Sequence, residues 1–253
     1  MAEPTPGETT HDAVLGGRLM LTQPKAGHRV GHDAILLAAA APAAARRMMD
    51  LGAGVGAAGL AFLTRCRQAE GVLVEIDPTL ADLARANAAA NGLTARCRAV
   101  PADVTALGRP AGPPDVAAGD ADLVLMNPPY NACATHNVSP HGGRALAHDA
   151  TSDLLEGWVK SAYRCLAAGG TLCLIHRPQA LAEILAALTG RFGAVELIPL
   201  FPAPGAPAAR LIVRALKGRR TPPALLPGLV LAGGDGRPSA AAEAILRDAQ
   251  PLA

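Results

Sequence analysis

The sequence predicts an α/β fold, a mainly parallel sheet with helices on both faces, and two observations predict it. Strand-like and helix-like segments alternate at 46–50, 57–67, 71–76, 78–91, 95–101, 121–126, 152–167, 170–176, 178–190, 194–200 and 209–217. Alternation of this kind builds a sheet covered by crossover helices. The first of these strands also runs into glycines at alternate positions, Gly52, Gly54 and Gly56, which let the backbone turn sharply and let a ligand approach closely. With 253 residues and 50% hydrophobic content, the chain has ample apolar material for one core. The organisation read from the sequence is a disordered stretch over 1–12, a lead-in over 13–45, the α/β domain over 46–220 and a C-terminal extension over 221–253. The lead-in reads as a short strand or hairpin followed by a helix starting near His32 or Asp33.

In chain order, the strand at 46–50 ends in Asp50 and the glycine turn leads into the helix at 57–67. The N-terminus of that helix offers unpaired N–H groups to a negative group. Two registers fit the turn. Gly54-Val55-Gly56-Ala57-Ala58-Gly59 satisfies the dinucleotide fingerprint G-x-G-x-x-G. Asp-x-Gly-x-Gly-x-Gly, starting at Asp50, is the S-adenosylmethionine (SAM) pattern. Asp50 favours the second register, because a carboxylate there suits a cationic ligand and repels a pyrophosphate.

The next strand ends in Glu75 about 20 residues after the glycines, where a ribose-binding carboxylate belongs. Asp77-Pro78-Thr79 reads as a helix start, with Asp77 as N-cap and Pro78 at the first helical position. After the third strand, Asp103 is either an acceptor for the exocyclic amine of an adenine or a solvated turn residue. Residues 104–120 carry Gly108, Gly112 and prolines at 110, 113 and 114, so a loop replaces the third crossover helix.

The strand at 121–126 stops at Asn127-Pro128-Pro129-Tyr130. Neither proline has an N–H to continue a ladder. The chain leaves the strand stiff and extended, with an amide before the prolines and a ring after them. At the carboxyl edge of an open sheet, where ligands bind, this makes a clamp for a flat group bearing an NH₂. Ordinary turn chemistry is the plain alternative.

Together these pieces resemble the class I SAM-dependent methyltransferases of the small-domain, NPPY group, which have a Rossmann-like fold. More closely, the chain is similar to the bacterial tRNA adenine N6-methyltransferases that modify the adenine beside the valine anticodon. The segment Leu21–Leu37, Asp50–Gly56, Glu75 with the Ala-Arg-Ala-Asn helix after it, Asn127–Tyr130, Leu172–Pro178, Arg210–Gly218 and Asp235-Gly236 carry the resemblance. It implies a seven-stranded sheet whose last two strands form an antiparallel hairpin. SAM is the cofactor it implies, with Asp50, Gly52, Gly54, Gly56, Glu75 and Asp103 around it. For the acceptor amine it implies Asn127 and the Pro128 carbonyl, with Pro129 stiffening the exit and Tyr130 stacking on the base. Relatives with the same tetrapeptide methylate adenine in DNA or RNA, guanine N2 in ribosomal RNA, or a glutamine amide in release factors. A nicotinamide or flavin oxidoreductase is the reading from a different class, tied to the other glycine register.

Composition sets limits. Cysteines at 66, 97, 133, 165 and 173 form no C-x-x-C pair, so neither zinc nor a disulfide framework is indicated. The stretch Met1–His11 is too polar for a signal peptide, and Ala34–Ala45, interrupted by Pro42, is too short for a membrane span. A cytoplasmic protein with no membrane partner is expected. The net charge of +2 is low for a tRNA-binding protein. Arg210, Arg214 and Lys217, on one strand or its exit, offer either a phosphate contact or a solvated strand end. Trp158, in an amphipathic helix, reads as core. Residues 131–149 read as a lid with His136, His141, His148 and Arg144. His136 and His141 lack a third ligand, so no metal is expected. Arg29 and Asp33 are candidates to close over the cofactor, although Asp33 also suits a helix start.

Overall fold

The computed structural model describes residues 8–25, 30–130 and 144–252, and of 144–152 it describes the backbone. In chain order the elements are β1 (Thr9–Val14), β2 (Leu19–Pro24), α1 (His32–Ala40), β3 (Arg47–Leu51), α2 (Ala57–Arg65), β4 (Glu70–Glu75), α3 (Pro78–Ala90), β5 (Cys97–Pro101), β6 (Ala121–Met126), α4 (Arg144–Cys165), β7 (Leu166–His176), α5 (Leu181–Leu188), β8 (Phe192–Phe201), β9 (Arg210–Lys217), β10 (Ala224–Leu225), β11 (Leu229–Val230) and α6 (Ala240–Leu246). The main sheet has the order β10-β8-β9-β7-β6-β3-β4-β5, with β11 also on β8. Strands β3 to β7 pair in parallel. Strand β9 is antiparallel to both β7 and β8. The seven expected strands and their terminal antiparallel hairpin are therefore present. The short β10 and β11 enlarge the sheet to nine strands.

Alternate residues of each central strand go to opposite faces, which divides the core in two. Met48, Leu73, Leu123, Leu125, Cys173, Ile175 and Ile212 pack under the side formed by α1, α2 and α3. Met49, Leu51, Val74, Val124, Met126, Leu172, Leu174 and Val213 pack under α4 and α5, against Trp158, Val159 and Ile184. The strands are apolar on both faces because both faces are covered.

The β5-to-β6 connection has no crossover helix, as the glycines and prolines of 104–120 predict, apart from a single 3-10 turn at Val104–Ala106. Arg164 of α4 ties this loop down, donating from Nε to the Leu107 carbonyl at 2.8 Å and from its terminal nitrogen to the Thr105 carbonyl at 3.2 Å. Asp77 caps α3, accepting from the Thr79 N–H at 2.8 Å with Pro78 in the first turn, as its pattern predicts.

Two expectations change. Residues 9–12, taken as disordered, belong to β1, which pairs with β2 from Thr9↔Pro24 to Val14↔Leu19. The polar sequence of β1 hides this strand, because it is held by an edge rather than by a core. The hairpin is fixed to α3 by two asparagines one turn apart. Asn91 bonds the backbone N–H and carbonyl of Met20, and Asn87 bonds those of Thr22. Helix α4 begins at Arg144, so residues 144–149 are helical, while 131–143 lie outside the described residues. The C-terminal extension folds back onto the lead-in, with the Leu252 N–H donating to the Ala39 carbonyl at 2.9 Å.

Candidate active site

The carboxyl ends of β3, β4, β5 and β6 share one edge of the sheet because these strands are parallel. From β3 the chain proceeds outward through β4 to β5, then returns to place β6 on the other flank of β3. The crevice at that switch point is where such sheets bind ligands. The glycine turn after β3 forms one wall and Asn127–Tyr130 after β6 forms the other.

Gly52, Gly54 and Gly56 all have positive φ, at 69°, 56° and 89°. A side chain at Gly54 would meet nothing within 4 Å, so that face is open, whereas a Cβ at Gly52 would lie 2.3 Å from the Trp158 ring. Trp158 is therefore core, as expected, and also the support beneath the turn. Gly52→Ala is expected to destabilise the fold by about 2–3 kcal/mol, from the left-handed backbone plus overpacking. Urea unfolding checks this.

The turn is held to the sheet by the Ala53 N–H, which donates to the Val74 carbonyl at 2.9 Å. Glu75 adds to this: one carboxylate oxygen accepts from the Gly54 N–H at 2.8 Å and the other from the Asp77 N–H at 2.9 Å. A carboxylate offers about four acceptor positions, so Glu75 keeps capacity for ribose hydroxyls. Ile76, next to it, is an apolar side chain 67% exposed at the crevice rim. Sequence reasoning missed Ile76. Its signal is an apolar residue directly after the acid, which the sequence places inside the strand at 71–76 although β4 ends at Glu75.

Asp50 is placed differently from expectation. Its side chain is 2% exposed and lies beneath the turn, accepting from the Gly59 N–H at 2.8 Å. Burial pushes its carboxyl up to about 7, with Glu75 adding in the same direction and the Gly59 bond opposing. Any influence on a cation in the crevice comes from its field and not from exposed contact. Asp103 caps the turn after β5, accepting from the Thr105 N–H at 2.8 Å and the Thr105 hydroxyl at 2.7 Å. The solvated-turn alternative accounts for those contacts.

On the other wall Pro128 is buried, Pro129 is exposed, and Asn127 and Tyr130 are half-buried. The Tyr130 hydroxyl lies 3.0 Å from Asn127 Oδ1 and 3.1 Å from Asp33 Oδ2. Burial, with the Asp33 charge second, holds its phenol well above the usual range. Arg177 donates to the Tyr130 carbonyl at 2.5 Å, which fixes the backbone of the clamp. The guanidinium groups of Arg177 and Arg210 lie 5.6 and 5.3 Å from the Tyr130 ring centre. His176 meets the ring edge-on at 4.8 Å and is 2% exposed, and burial lowers its pKa.

The basic cluster separates. Arg210 pairs with Asp33 at 2.6 Å beside the clamp. Arg214 pairs with Glu196 at 2.7 Å, and Lys217 donates to the Leu166 carbonyl at 2.6 Å. The last two tether the fold and are not a phosphate patch. Arg29, His136 and His141 lie outside the described residues, as does the side chain of His148. Among the described residues no group of three metal-ligating side chains occurs, and no helix is long and apolar enough to cross a membrane.

This sheet order, with a glycine turn and an Asn-Pro-Pro-Tyr exit on either side of the switch point, defines a class I methyltransferase. A profile of the family described as "Methyltransferase small domain" matches residues 29–199, and the chain belongs to that family. A protein named tRNA1(Val) (adenine(37)-N6)-methyltransferase from Porphyromonas gingivalis is 32% identical over 154 residues. That match covers 58% of this chain and 58% of the relative's length. A release factor glutamine methyltransferase from Agrobacterium fabrum is 34% identical over 84 residues, covering 33% of this chain and 26% of that protein. Among solved structures, one described as a predicted O-methyltransferase from Agrobacterium tumefaciens superposes with a TM-score of 0.72 at 32% identity. It covers 87% of this chain and 98% of its own.

Proposed function

We propose that this chain transfers a methyl group from SAM to the exocyclic N6 amine of an adenine in tRNA. The observation that carries the reading is the placement of Asn127-Pro128-Pro129-Tyr130 across the switch point from an open glycine turn. The residues present fit the cofactor. Gly54 leaves room for it, Glu75 has acceptor capacity for its ribose, Ile76 offers its base an apolar surface, and Asp50 supplies negative field. Bound SAM supplies a methyl on a sulfonium, which is a good leaving group.

The work on the acceptor falls to this chain's own residues. An exocyclic amine conjugated with its ring is a poor nucleophile, because its lone pair lies in the π-system. Asn127 Oδ1 and the Pro128 carbonyl accept the two amine protons from slightly outside the ring plane. That favours a pyramidal nitrogen and frees the lone pair. Tyr130 stacks on the base, a contact of about 1–3 kcal/mol. No general base with a tuned pKa is required before transfer, so placement and fixed dipoles carry the rate. His176, buried and neutral, packs the tyrosine and takes no proton.

The same clamp fits the planar amide of glutamine, and the release factor methyltransferases among the relatives support that second reading. The tRNA adenine methyltransferase is matched at 32% identity over 154 residues, against 27% over 157 for the longer release factor match, which favours the tRNA reading. Labelled SAM incubated with unmodified total tRNA, followed by nucleoside mass spectrometry, is expected to yield N6-methyladenosine. Label absent from tRNA and present in a release factor would establish the second reading instead.

Glu75→Ala is expected to weaken SAM binding by about 1.5–3 kcal/mol, the scale of hydrogen bonds to a charged group. It also leaves the Gly54 and Asp77 N–H groups without their carboxylate. Calorimetry with SAM checks the loss. Unchanged affinity would move the ribose contact elsewhere.

A further inference from the structure

The Tyr130 hydroxyl has one proton and two acceptors. It stands 3.0 Å from Asn127 Oδ1 and 3.1 Å from Asp33 Oδ2. Both lie within hydrogen-bond reach, and the single proton serves one of the two acceptors at a time. Asn127 Oδ1 is also the atom that must accept an amine proton of the substrate. While the hydroxyl rests there, the clamp is partly satisfied by its own tyrosine.

The geometry assigns Asp33 as a positioning residue: it takes the Tyr130 hydroxyl away from Asn127 Oδ1 when an acceptor base arrives, leaving that oxygen free for the amine. This rests on the clamp reading above. A carboxylate is the better acceptor for the hydroxyl, since hydrogen bonds to ionised groups are shorter and roughly twice as strong. Arg210 keeps the two acceptors in balance. Its Nε donates to the same Asp33 Oδ2 at 2.6 Å, drawing on the charge that would otherwise hold the hydroxyl permanently. An incoming amine that bonds Asn127 Oδ1 displaces the hydroxyl by a short shift toward Asp33, with no rotation of the ring.

The arrangement joins three distant parts of the chain. Asp33 is in the first turn of α1, Arg210 begins β9, and Tyr130 follows β6. The helix from the lead-in thereby acts on the acceptor side of the site. The sequence offers Asp33 closure over the cofactor or ordinary helix-start chemistry, and neither names this role.

The test is a double-mutant cycle on methyl transfer, with SAM affinity measured alongside. In the otherwise native chain, Asp33→Asn should lower kcat at least ten-fold and leave the Kd for SAM within two-fold. The substituted amide can donate to the tyrosine oxygen, which sends the hydroxyl proton to Asn127. Tyr130→Phe sets its own baseline, and adding Asp33→Asn to it should change kcat less than two-fold, because no hydroxyl remains to be moved. An equal loss from Asp33→Asn in both backgrounds, accompanied by a lower Tm, would make Asp33 a tether for α1 and overturn the assignment. No loss in either background, with Asn127→Ala inactive, would overturn it and leave the clamp intact. Turnover surviving in Asn127→Ala would remove the clamp itself, a separate failure.

Discussion

Asn127→Ala is expected to lower methyl transfer by about 10²–10³, the usual cost of removing one preorganised partner of the transition state, while SAM affinity changes less than three-fold. Asn127 stands after β6, across the switch point from the glycine turn, and Glu75 and the turn make none of their hydrogen bonds to it. In the proposed clamp, losing its amide oxygen leaves one amine proton of the acceptor without a partner and lets the nitrogen remain planar. The loss should therefore appear in kcat and not in the KM for SAM. Single-turnover transfer with SAM in excess separates the two. Folding is little affected, because Asn127 is half-buried and its bond to Tyr130 has Asp33 as a substitute acceptor. A variant that turns over at the wild-type rate would return Asn-Pro-Pro to plain turn chemistry.

The frame of this site is legible because it is built from local signals. A strand that ends in Asp50 and glycines, a strand that ends in Glu75, and an apolar run stopped by two prolines each show their place in sequence. Parallel pairing then brings their ends together without further instruction. Two other kinds of feature are not legible. Partners far apart in sequence are one: Asp33 and Arg210 are 177 residues apart, and neither shows its partner by spacing. Polar residues with structural partners are the other. Asn87 and Asn91 carry no spacing signal for a strand 65 and 71 residues away, yet they hold the backbone of β2. Arg214 and Lys217 read as a charge cluster, yet each is bound to the fold. A polar side chain shows in sequence that it needs a partner, but not whether water or the protein supplies it. Asp50 joins a legible feature to one that is not, since its position is evident in sequence and its burial is not.

That burial gives the second large effect. An unfolded aspartate titrates near ~3.9, and Asp50 in the folded chain titrates at about 7, chiefly because it is buried. Below about pH 4 the group is protonated in both states and costs the fold nothing. Between about 4 and 7 the folded state keeps a proton that the unfolded state has released, so stability falls as pH rises. Above 7 both are ionised and the full penalty stands, on the order of 4 kcal/mol. Asp50→Asn keeps an oxygen for the Gly59 N–H and carries no charge. It is expected to be more stable than wild type at pH 8 by up to about that amount, and to lack this decline between pH 4 and 7. Urea unfolding at several pH values measures both. The charge should be what binding requires. With Asp50 ionised behind the glycine turn, a permanent sulfonium in the crevice gains attraction through a medium of low dielectric. SAM affinity in wild type should then rise as pH passes through 7, while in Asp50→Asn it should be at least ten-fold weaker at pH 8 and much less dependent on pH. A variant that gains stability and keeps full affinity would mean that the carboxyl serves the glycine turn alone. One that gains stability and loses affinity would show a buried charge kept against the interest of the fold, because the cofactor is a cation.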